Sequence, residues 1–234
     1  MPLQIRNLYK SFSTLKIFKN FNMTIHKNKI NCILGPSGCG KTTLLNIIAG
    51  LESIDSGALV GFENKSLSFI FQEPRLLEWM TVWDNIDFVL KDIFPKQKRQ
   101  YIITNYLKTV DLLEFKNYYP KELSGGMKQR VSIARAFAYP SDILIMDEPF
   151  KGLDNKLKNT LIKSFLRLWL DDKRTIIFVT HDIDESLLLG DDIFILSKNP
   201  AHIKKHITID IAQKNRNIEK ESLISIKNIL INSF

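Results

Sequence analysis

A glycine-rich loop at residues 35–42 restricts the fold of this chain more than any other feature. Its sequence, GPSGCGKT, matches the pattern G-x-x-x-x-G-K-[ST] at every required position. Residues 29–34 before it (KINCIL) are typical of a buried strand, and residues 41–49 after it have helical periodicity with one apolar face. A strand that runs through such a loop into a helix is typical of α/β folds with a parallel sheet.

The loop has the chemistry of a phosphate-binding site. Its glycines allow backbone N–H groups to point inward, and the start of the next helix adds partial positive charge. Lys41 would bridge the β- and γ-phosphates, and the Thr42 hydroxyl would ligate Mg²⁺. A glycine-rich turn with an incidental lysine is the alternative, but it does not explain the strand and helix on either side. The loop residues predicted to bind nucleotide are Gly35, Pro36, Ser37, Gly38, Cys39, Gly40, Lys41, Thr42 and Thr43.

Two adjacent acids follow a second apolar strand at residues 143–146 (ILIM). The carboxyl ends of parallel strands are where ligands bind such sheets. Asp147 is therefore placed to hold Mg²⁺ through water, and Glu148 is left free to polarise an attacking water as a general base. A strand that ends in a solvated Asp-Glu turn is the alternative. The phosphate loop favours the catalytic interpretation.

The composition is that of an ordinary globular protein, with 44% hydrophobic and 25% charged residues. Apolar stretches such as residues 176–179 fall far short of the roughly 20 residues of a membrane-spanning helix, and the N-terminus lacks the apolar core of a signal peptide. We therefore expect a cytosolic protein in which Cys32 and Cys39 are reduced thiols. The net charge of +8 comes from lysines spread along the chain, which favours a solvated surface over a nucleic-acid interface.

Apolar periodicity predicts the order of the remaining elements. Strands are predicted at residues 3–8, 21–25, 29–34, 67–71, 143–146 and 175–179. Residues 83–137 have helical periodicity interrupted at Pro95 and Pro120, which predicts a helical subdomain inserted into the sheet, and residues 156–170 predict an amphipathic helix. Because near-continuous apolar strands alternate with helices, we expect a parallel sheet covered on both faces.

A second glycine turn, residues 123–130 (LSGGMKQR), lies between the helical region and the acidic strand. It resembles the signature motif of ABC ATPases. Ser124 is predicted to be a helix N-cap, so that Ser124, Gly125 and Gly126 would offer N–H groups and a positive dipole end to a second γ-phosphate. A simply capped helix would explain this segment in isolation. The order of the motifs favours the resemblance.

Other elements of the same family follow in the expected order. Gln72 resembles the Q-loop glutamine, which contacts Mg²⁺ and responds to the transport partner. Asp154, in the sequence GLD, resembles the D-loop aspartate, and His181 resembles the switch histidine. Phe12 resembles the aromatic residue that stacks on adenine, with Tyr9 as a close competitor.

The resemblance covers nearly the whole chain and implies its fold class. That class is α/β, a P-loop NTPase of the ABC ATPase type, with a RecA-like parallel-sheet core, N-terminal antiparallel β-strands and an inserted α-helical subdomain. It implies one ABC ATP-binding domain over residues 1–234, with the helical subdomain at approximately 74–139 and a C-terminal extension of the core at approximately 203–234.

The resemblance also implies the cofactors, ATP and Mg²⁺, and the assembly. Two copies would sandwich ATP between residues 35–42 of one subunit and residues 124–126 of the other, giving a homodimer with two sites. The implied catalytic residues are Lys41, Gln72, Glu148 and His181. The implied metal ligands are Thr42, Gln72 and Asp147.

Residues 71–86 (FQEPRLLEWMTVWDNI) resemble the importer branch that serves nitrate, sulfonates, taurine and thiamine-pyrimidine precursors, as do residues 181–186 and 196–200. Lys151 departs from the branch, where a small residue is commoner, and no loss of chemistry is expected. The branch implies integral-membrane permease subunits as partners and an extracytoplasmic solute-binding protein as an indirect one. It also implies a cytoplasmic location, peripheral on the inner face of the membrane, and makes nucleic acid an unlikely partner.

The apolar side chains beside Gln72 are expected to be exposed and to form a groove for a short permease helix. These side chains are Leu76, Leu77, Trp79 and Met80. The alternative is a hydrophobic turn packed within the helical subdomain. A soluble ABC ATPase that acts on nucleic acid or ribosomes, and an exporter motor, remain as other functions. The chain has no coiled-coil run and carries each motif once, and the short segment before Gln72 argues against an exporter.

Overall fold

Two β-sheets and seven helices make up the computed structural model within residues 2–233, which are the residues the structure describes. The strands are β1 (Leu3–Phe12), β2 (Leu15–Ile25), β3 (Ile30–Leu34), β4 (Ser56–Val60), β5 (Leu67–Ile70), β6 (Ile143–Asp147), β7 (Thr175–Thr180), β8 (Asp192–Leu196) and β9 (Ile203–Thr208). The helices are α1 (Lys41–Ile48), α2 (Val82–Leu90), α3 (Lys96–Thr109), α4 (Gly125–Ala138), α5 (Asn155–Asp172), α6 (Ile183–Leu189) and α7 (Glu221–Ile231).

The larger sheet has the strand order β5-β6-β7-β3-β8-β9. Its first five strands are parallel, as expected, and β9 is an antiparallel edge strand that the sequence did not predict. Ile143 and Ile145 of β6 pack into the core that contains α1, whereas Leu144 and Met146 pack into the core that contains α4 and α5. Successive side chains of a strand point to opposite faces, so a strand covered on both faces is apolar throughout.

The smaller sheet is antiparallel, with the order β2-β1-β4. Both β1 and β2 are longer than the expected strands at residues 3–8 and 21–25. The pairing of β1 with β2 contains register shifts after Ile5, Leu8 and Lys10, and Asn7 has a positive φ of 47°. Such irregularities interrupt the alternation of apolar and polar residues, which is why the pattern revealed only part of each strand.

Helices α2, α3 and α4 lie between β5 and β6 in the chain and share one apolar core with the larger sheet. The breaks expected at Pro95 and Pro120 are confirmed, because Pro95 is the N-cap of α3 and Pro120 begins a short 3₁₀ turn before α4. None of the helices in the described part of the chain is both long and apolar enough to cross a membrane. The division into a core and a subdomain at about residues 74–139 stays a proposal.

The end of α4 is tied to the larger sheet by one buried guanidinium group. Arg174, beside the start of β7, donates to the carbonyls of Phe137 (2.9 Å), Ala136 (3.3 Å) and Tyr139 (2.9 Å), and to Ser141 Oγ (2.9 Å). The last carbonyls of a helix have no partner within the helix, and a cation at this end also opposes the helix dipole. Arg174 therefore satisfies groups that burial would otherwise leave unpaired.

We expect Arg174→Met to lower the free energy of unfolding by about 3 kcal/mol, because it leaves several buried carbonyls without a donor. Arg174→Lys keeps the charge but not the planar set of donors, and is expected to show an intermediate loss. Urea denaturation of both variants measures the effect. A methionine variant as stable as the wild type would contradict this account of the junction.

Candidate functional site

The glycine-rich loop connects β3 to α1, and its backbone requires glycine at Gly40. This residue has a φ of 103°, and a Cβ atom there would lie 2.5 Å from Ile17 Cγ2. Lys41 is the first residue of α1 and is 6% exposed. Its Nζ donates to the carbonyls of Gly35 (2.8 Å) and Pro36 (2.9 Å). The ammonium group is thus held inside the curve of the loop.

The loop has one support that sequence reasoning missed. Asn199, beyond the end of β8, donates from Nδ2 to the Gly38 carbonyl at 3.0 Å. The sequence offers no signal for this contact, because Asn199 is 161 positions away in the chain. Burial raises the pKa of the Cys39 thiol within the loop. Cys39 therefore stays protonated, and both cysteines are free thiols, as expected.

The register of the larger sheet brings the loop and the acidic pair together. Leu34 at the end of β3 pairs with Thr180 of β7, and Val179 of β7 pairs with Asp147 of β6. The Thr42 hydroxyl is close enough to Asp147 to lower the pKa of its carboxyl group. Burial raises the pKa of Asp147, and the Thr42 hydroxyl offsets only part of that rise.

This arrangement fits Mg²⁺. A hydroxyl and a carboxylate lie side by side at the end of the glycine-rich loop, and oxygen ligands of this kind are the ones Mg²⁺ prefers. Gln72 is exposed and follows β5, the strand next to β6. Gln72 is thus a candidate third oxygen ligand just beyond the end of the neighbouring strand.

The carboxylate of Glu148 is in contact with two side chains, Lys151 and His181. Its Oε2 lies 2.6 Å from Lys151 Nζ, and its Oε1 lies 3.3 Å from His181 Nδ1. Burial opposes ionisation, but the hydrogen bonds from Lys151 and His181 outweigh it, so the pKa of Glu148 is below its usual value. The side chain is therefore ionised at neutral pH, which is the form a general base needs.

Lys151 contacts one oxygen of Glu148 and lowers the pKa of its carboxyl group, which would weaken Glu148 in the predicted role of general base. If the site hydrolyses ATP as the resemblance implies, Lys151→Ala is expected to raise that rate about threefold, since it frees Oε2 and returns the pKa of Glu148 toward its ordinary value. Lys151→Arg keeps a cation at the same place and serves as the control. Steady-state turnover with saturating Mg-ATP tests this, and a fall in turnover in the alanine variant would show that Lys151 supports Glu148 instead of restraining it.

The turn that carries His181 is fixed by charged groups that the sequence did not reveal. Lys158 of α5 contacts Asp182 (2.6 Å) and Glu185 (3.3 Å), and Thr180 Oγ1 donates to Glu185 Oε2 at 2.6 Å. Asp182 also caps α6. His181 itself is exposed. The turn after β7 is thereby held rigid while the imidazole beside Glu148 stays accessible.

The second glycine turn has the predicted N-cap. Ser124 Oγ accepts from Met127 N at 3.3 Å at the start of α4. Ser124 and Gly125 are exposed, whereas Gly126 is buried, and a Cβ atom on Gly126 would lie 2.4 Å from a Leu157 methyl carbon. The start of α4 is therefore open to solvent at Gly125, where an anion supplied from outside the chain could approach the helix N-terminus.

Three further predicted residues have local contacts that leave their assigned roles open. Asp154 is the N-cap of α5, and its Oδ1 accepts from Leu157 N at 3.0 Å. Phe12 and Tyr9 are both partly exposed, at 42% and 38%. Lys10 Nζ lies 4.8 Å from the centre of the Phe12 ring. Both rings thus present an exposed surface.

The expectation that Leu76 is exposed is wrong, because Leu76 packs into the core beside the helices. The cause is Asn85, a fully buried residue of α2 whose side chain binds both N and O of Leu77 and the carbonyl of Met80. These hydrogen bonds set the conformation of the turn, so that Leu76 is buried in the core. Leu77 and Met80 are half-buried, and Trp79 is exposed at 73%.

A family model described as ABC transporter matches residues 18–151, which is more than half of the chain. The chain belongs to the ABC transporter family. It is therefore an ABC-type ATPase that binds ATP, and the predictions of the family and the fold class are confirmed.

Relatives and solved structures agree with this placement. The ABC protein is 39% identical to an aliphatic sulfonates import ATP-binding protein of Bacillus thuringiensis, with 100% of this chain and 96% of the relative covered. It is 37% identical to a nitrate import ATP-binding protein of Synechocystis, with 90% and 84% covered. A solved dimeric ATP-binding cassette in a post-hydrolysis state, bound to ADP and Pi, superposes with a TM-score of 0.76 at 27% identity, with 90% of this chain and 100% of that chain covered.

Proposed function

We propose that this ABC ATPase is the motor subunit of an importer that couples ATP hydrolysis to the uptake of a small solute. The observation that carries the proposal is the combination of a complete nucleotide site with similarity to import ATP-binding proteins over nearly the full length of the chain. Those relatives act on aliphatic sulfonates and nitrate by name. The transported solute is accordingly a sulfonate, taurine, nitrate or a thiamine-pyrimidine precursor.

In the proposed reaction, residues 35–42 bind the phosphates of ATP and Lys41 leaves the loop carbonyls to contact the β- and γ-phosphates. Thr42, Asp147 and Gln72 would hold Mg²⁺, and the ion would supply positive charge against the phosphates. Glu148 accepts a proton from the water that attacks the γ-phosphorus. The bond to the ADP oxygen breaks, and ADP and phosphate are released. The ionised state of Glu148 supports this role.

His181 is exposed and lies beside Glu148, so its imidazole would be available to hydrogen-bond the γ-phosphate. Its Nδ1 contact with Glu148 supports a positioning role for the carboxylate. Stacking on adenine is assigned to Phe12, with Tyr9 as the alternative. Both rings have an accessible face at the end of the smaller sheet.

Each ATP would be shared between two copies of the chain, with Ser124, Gly125 and Gly126 of the second copy contacting the γ-phosphate. Two features support this homodimer. The exposed Gly125 at the start of α4 has open space around it, where an added Cβ would meet no atom within 4 Å. The similar solved cassette is dimeric and bound to ADP and Pi. Asp154, at the start of α5, would approach the shared site from its own subunit.

The membrane partner would be a permease that docks beside Gln72. Trp79 is exposed and lies between the half-buried Leu77 and Met80, which makes it the natural anchor for a short permease helix. The proposed location is the cytoplasmic face of the membrane. An extracytoplasmic solute-binding protein would act on this chain only through the permease.

Capture of tagged protein from gently solubilised native membranes tests the proposal. A polytopic permease in near-equal amount is the expected partner. Recovery of ribosomes or nucleic acid without a membrane protein would instead support the soluble class of ABC ATPase. A permease with large extracytoplasmic domains and no associated binding protein would support an exporter.

The proposed docking role of Trp79 can be tested by substitution. Trp79→Ser is expected to reduce permease capture about tenfold, which corresponds to roughly 1.4 kcal/mol, because a buried interface tryptophan contributes at least this much. Tyr101→Ser is the matched control, since Tyr101 is 71% exposed but lies on α3, outside the turn. ATP binding should be unchanged in both variants. Equal capture of the two variants would rule out the Trp79 surface as the docking site.

A further inference from the structure

Two of the four histidines of the chain converge on one buried carboxylate, away from the nucleotide site. His26 Nδ1 lies 2.8 Å from Asp192 Oδ2, and His206 Nε2 lies 2.8 Å from Asp192 Oδ1. One atom from each of the three side chains falls within 4.8 Å of the others. The three residues come from the turn after β2, the start of β8 and the edge strand β9.

The surrounding residues fix these groups in place. The His206 ring stacks on Phe194 with centroids 4.2 Å apart and planes within 5°. Thr208, the register partner of Asp192, donates from Oγ1 to Asp192 Oδ1 at 2.7 Å. Each carboxylate oxygen of Asp192 thus faces one imidazole, Oδ2 facing His26 and Oδ1 facing His206. Asp192 is therefore a carboxylate with oriented neighbours.

Two imidazoles and one carboxylate are a ligand set for a late first-row divalent cation. Hydrogen bonds from Thr208 and contacts such as the Phe194 stack are the kind of support that orients metal ligands. The Asp192 side chain is fully buried, whereas those of His26 and His206 are 42% and 38% exposed. A cation from solvent can therefore reach the nitrogens without opening the core.

The ammonium group of Lys29 would compete with a metal ion for the Asp192 carboxylate. Its Nζ lies 3.5 Å from Asp192 Oδ2, and its side chain is 42% exposed. An exposed lysine can turn outward into solvent at little cost, since a solvent-exposed ion pair contributes about 1 kcal/mol or less. Lys29 thus shields the carboxylate in the absence of a metal ion without closing the site.

We propose that His26, Asp192 and His206 form a binding site for a divalent transition-metal ion of the Zn²⁺ type, with water at the remaining position. The ion takes the place of the protons that now link each imidazole to Asp192. Because Asp192 pairs with Asn31 near the start of β3, the site lies at the opposite end of the strands from the loop at residues 35–42. It is a structural site that joins the smaller sheet, the larger sheet and the C-terminal edge strand.

Zinc titration of the metal-stripped, tag-free full chain tests the proposal, with a chromophoric chelator as competitor. The wild type should bind one Zn²⁺ per chain, and His26→Ala and His206→Ala should each bind it at least about tenfold more weakly. His202→Ala is the matched control, because His202 is bonded to Ser197 and lies outside the cluster. The midpoint of thermal unfolding should rise with Zn²⁺ in the wild type and the control only. Equal affinity in all four proteins would overturn the site.

A measurement without variants covers the case in which the alanine substitutions weaken the fold. Diethylpyrocarbonate modifies accessible imidazoles, and mass spectrometry of peptides locates the modified residues. Zn²⁺ should protect His26 and His206 while His181 and His202 continue to react. Modification of His26 and His206 at the same rate with and without Zn²⁺ would overturn the proposal.

Discussion

Replacement of Glu148 by glutamine is expected to leave ATP binding intact and to lower ATP turnover about a thousandfold. Glutamine has nearly the same shape but cannot accept a proton from the attacking water, and removal of a general base usually costs between about 10² and 10⁴ in rate. Glu148 N donates to the Val179 carbonyl at 2.9 Å through its backbone, and this contact does not depend on the side chain. The positions of the loop and of Asp147 should therefore be unchanged.

Nucleotide binding measured by fluorescence titration, alongside steady-state phosphate release, separates the two effects. Glu114→Gln is a suitable control, because Glu114 is an exposed carboxylate in the helical region between α3 and α4. This control should hydrolyse ATP at the wild-type rate. Unchanged turnover in the Glu148→Gln protein would remove Glu148 from the reaction and would require another proton acceptor.

Substitution of Gly125 is expected to abolish ATP-dependent dimer formation while leaving the single chain folded. Within one chain an added Cβ at Gly125 meets nothing within 4 Å, so Gly125→Glu should not change the thermal midpoint. In the proposed dimer the new carboxylate would face the γ-phosphate of ATP bound to the other copy. Two negative charges in such close contact repel strongly in a site shielded from water.

Sedimentation of the Glu148→Gln protein with Mg-ATP provides the measurement, because hydrolysis cannot reopen that dimer. The Glu148→Gln protein should sediment at twice the mass of the chain, and the Glu148→Gln, Gly125→Glu double variant at the mass of one chain. Gly126→Ala is an informative contrast, since its methyl group would overlap Leu157 and reduce the stability of the chain itself. A double variant that still dimerises with ATP would show that Gly125 does not contact the shared nucleotide.

The parts of the site that the sequence predicted are those encoded in short, continuous motifs. The loop at residues 35–42, the Asp147–Glu148 pair and the Ser124 cap each depend on local spacing, which a pattern can capture. The larger sheet was predictable for a related reason, because strands buried on both faces are apolar at every position. The breaks at Pro95 and Pro120 were predictable as well, because proline interrupts a helix by a local effect on the backbone.

The parts that the sequence did not predict depend on contacts between distant residues. Asn199 supports the loop across 161 positions, and His26 meets Asp192 across 166. The sequence of the turn that contains Leu76 predicts an exposed apolar patch. Leu76 is buried instead, because Asn85 is hydrogen-bonded to this turn and sets its conformation. The position of Lys151 in its motif predicts no effect on the chemistry, whereas the contact between Lys151 and Glu148 depends on side-chain geometry that the motif does not encode. The apolar periodicity of a sequence contains no information about such contacts between distant side chains.

The most direct test of the account is the ATP turnover of this protein in proteoliposomes, assembled with the permease recovered from native membranes. The solute-binding protein is added, with and without solute, on the side of the membrane opposite the ATPase. An importer motor should hydrolyse ATP faster when the loaded binding protein is present, and the Glu148→Gln protein should not respond. Turnover that is indifferent to the binding protein on that side, or that rises instead with ribosomes, would contradict the assignment.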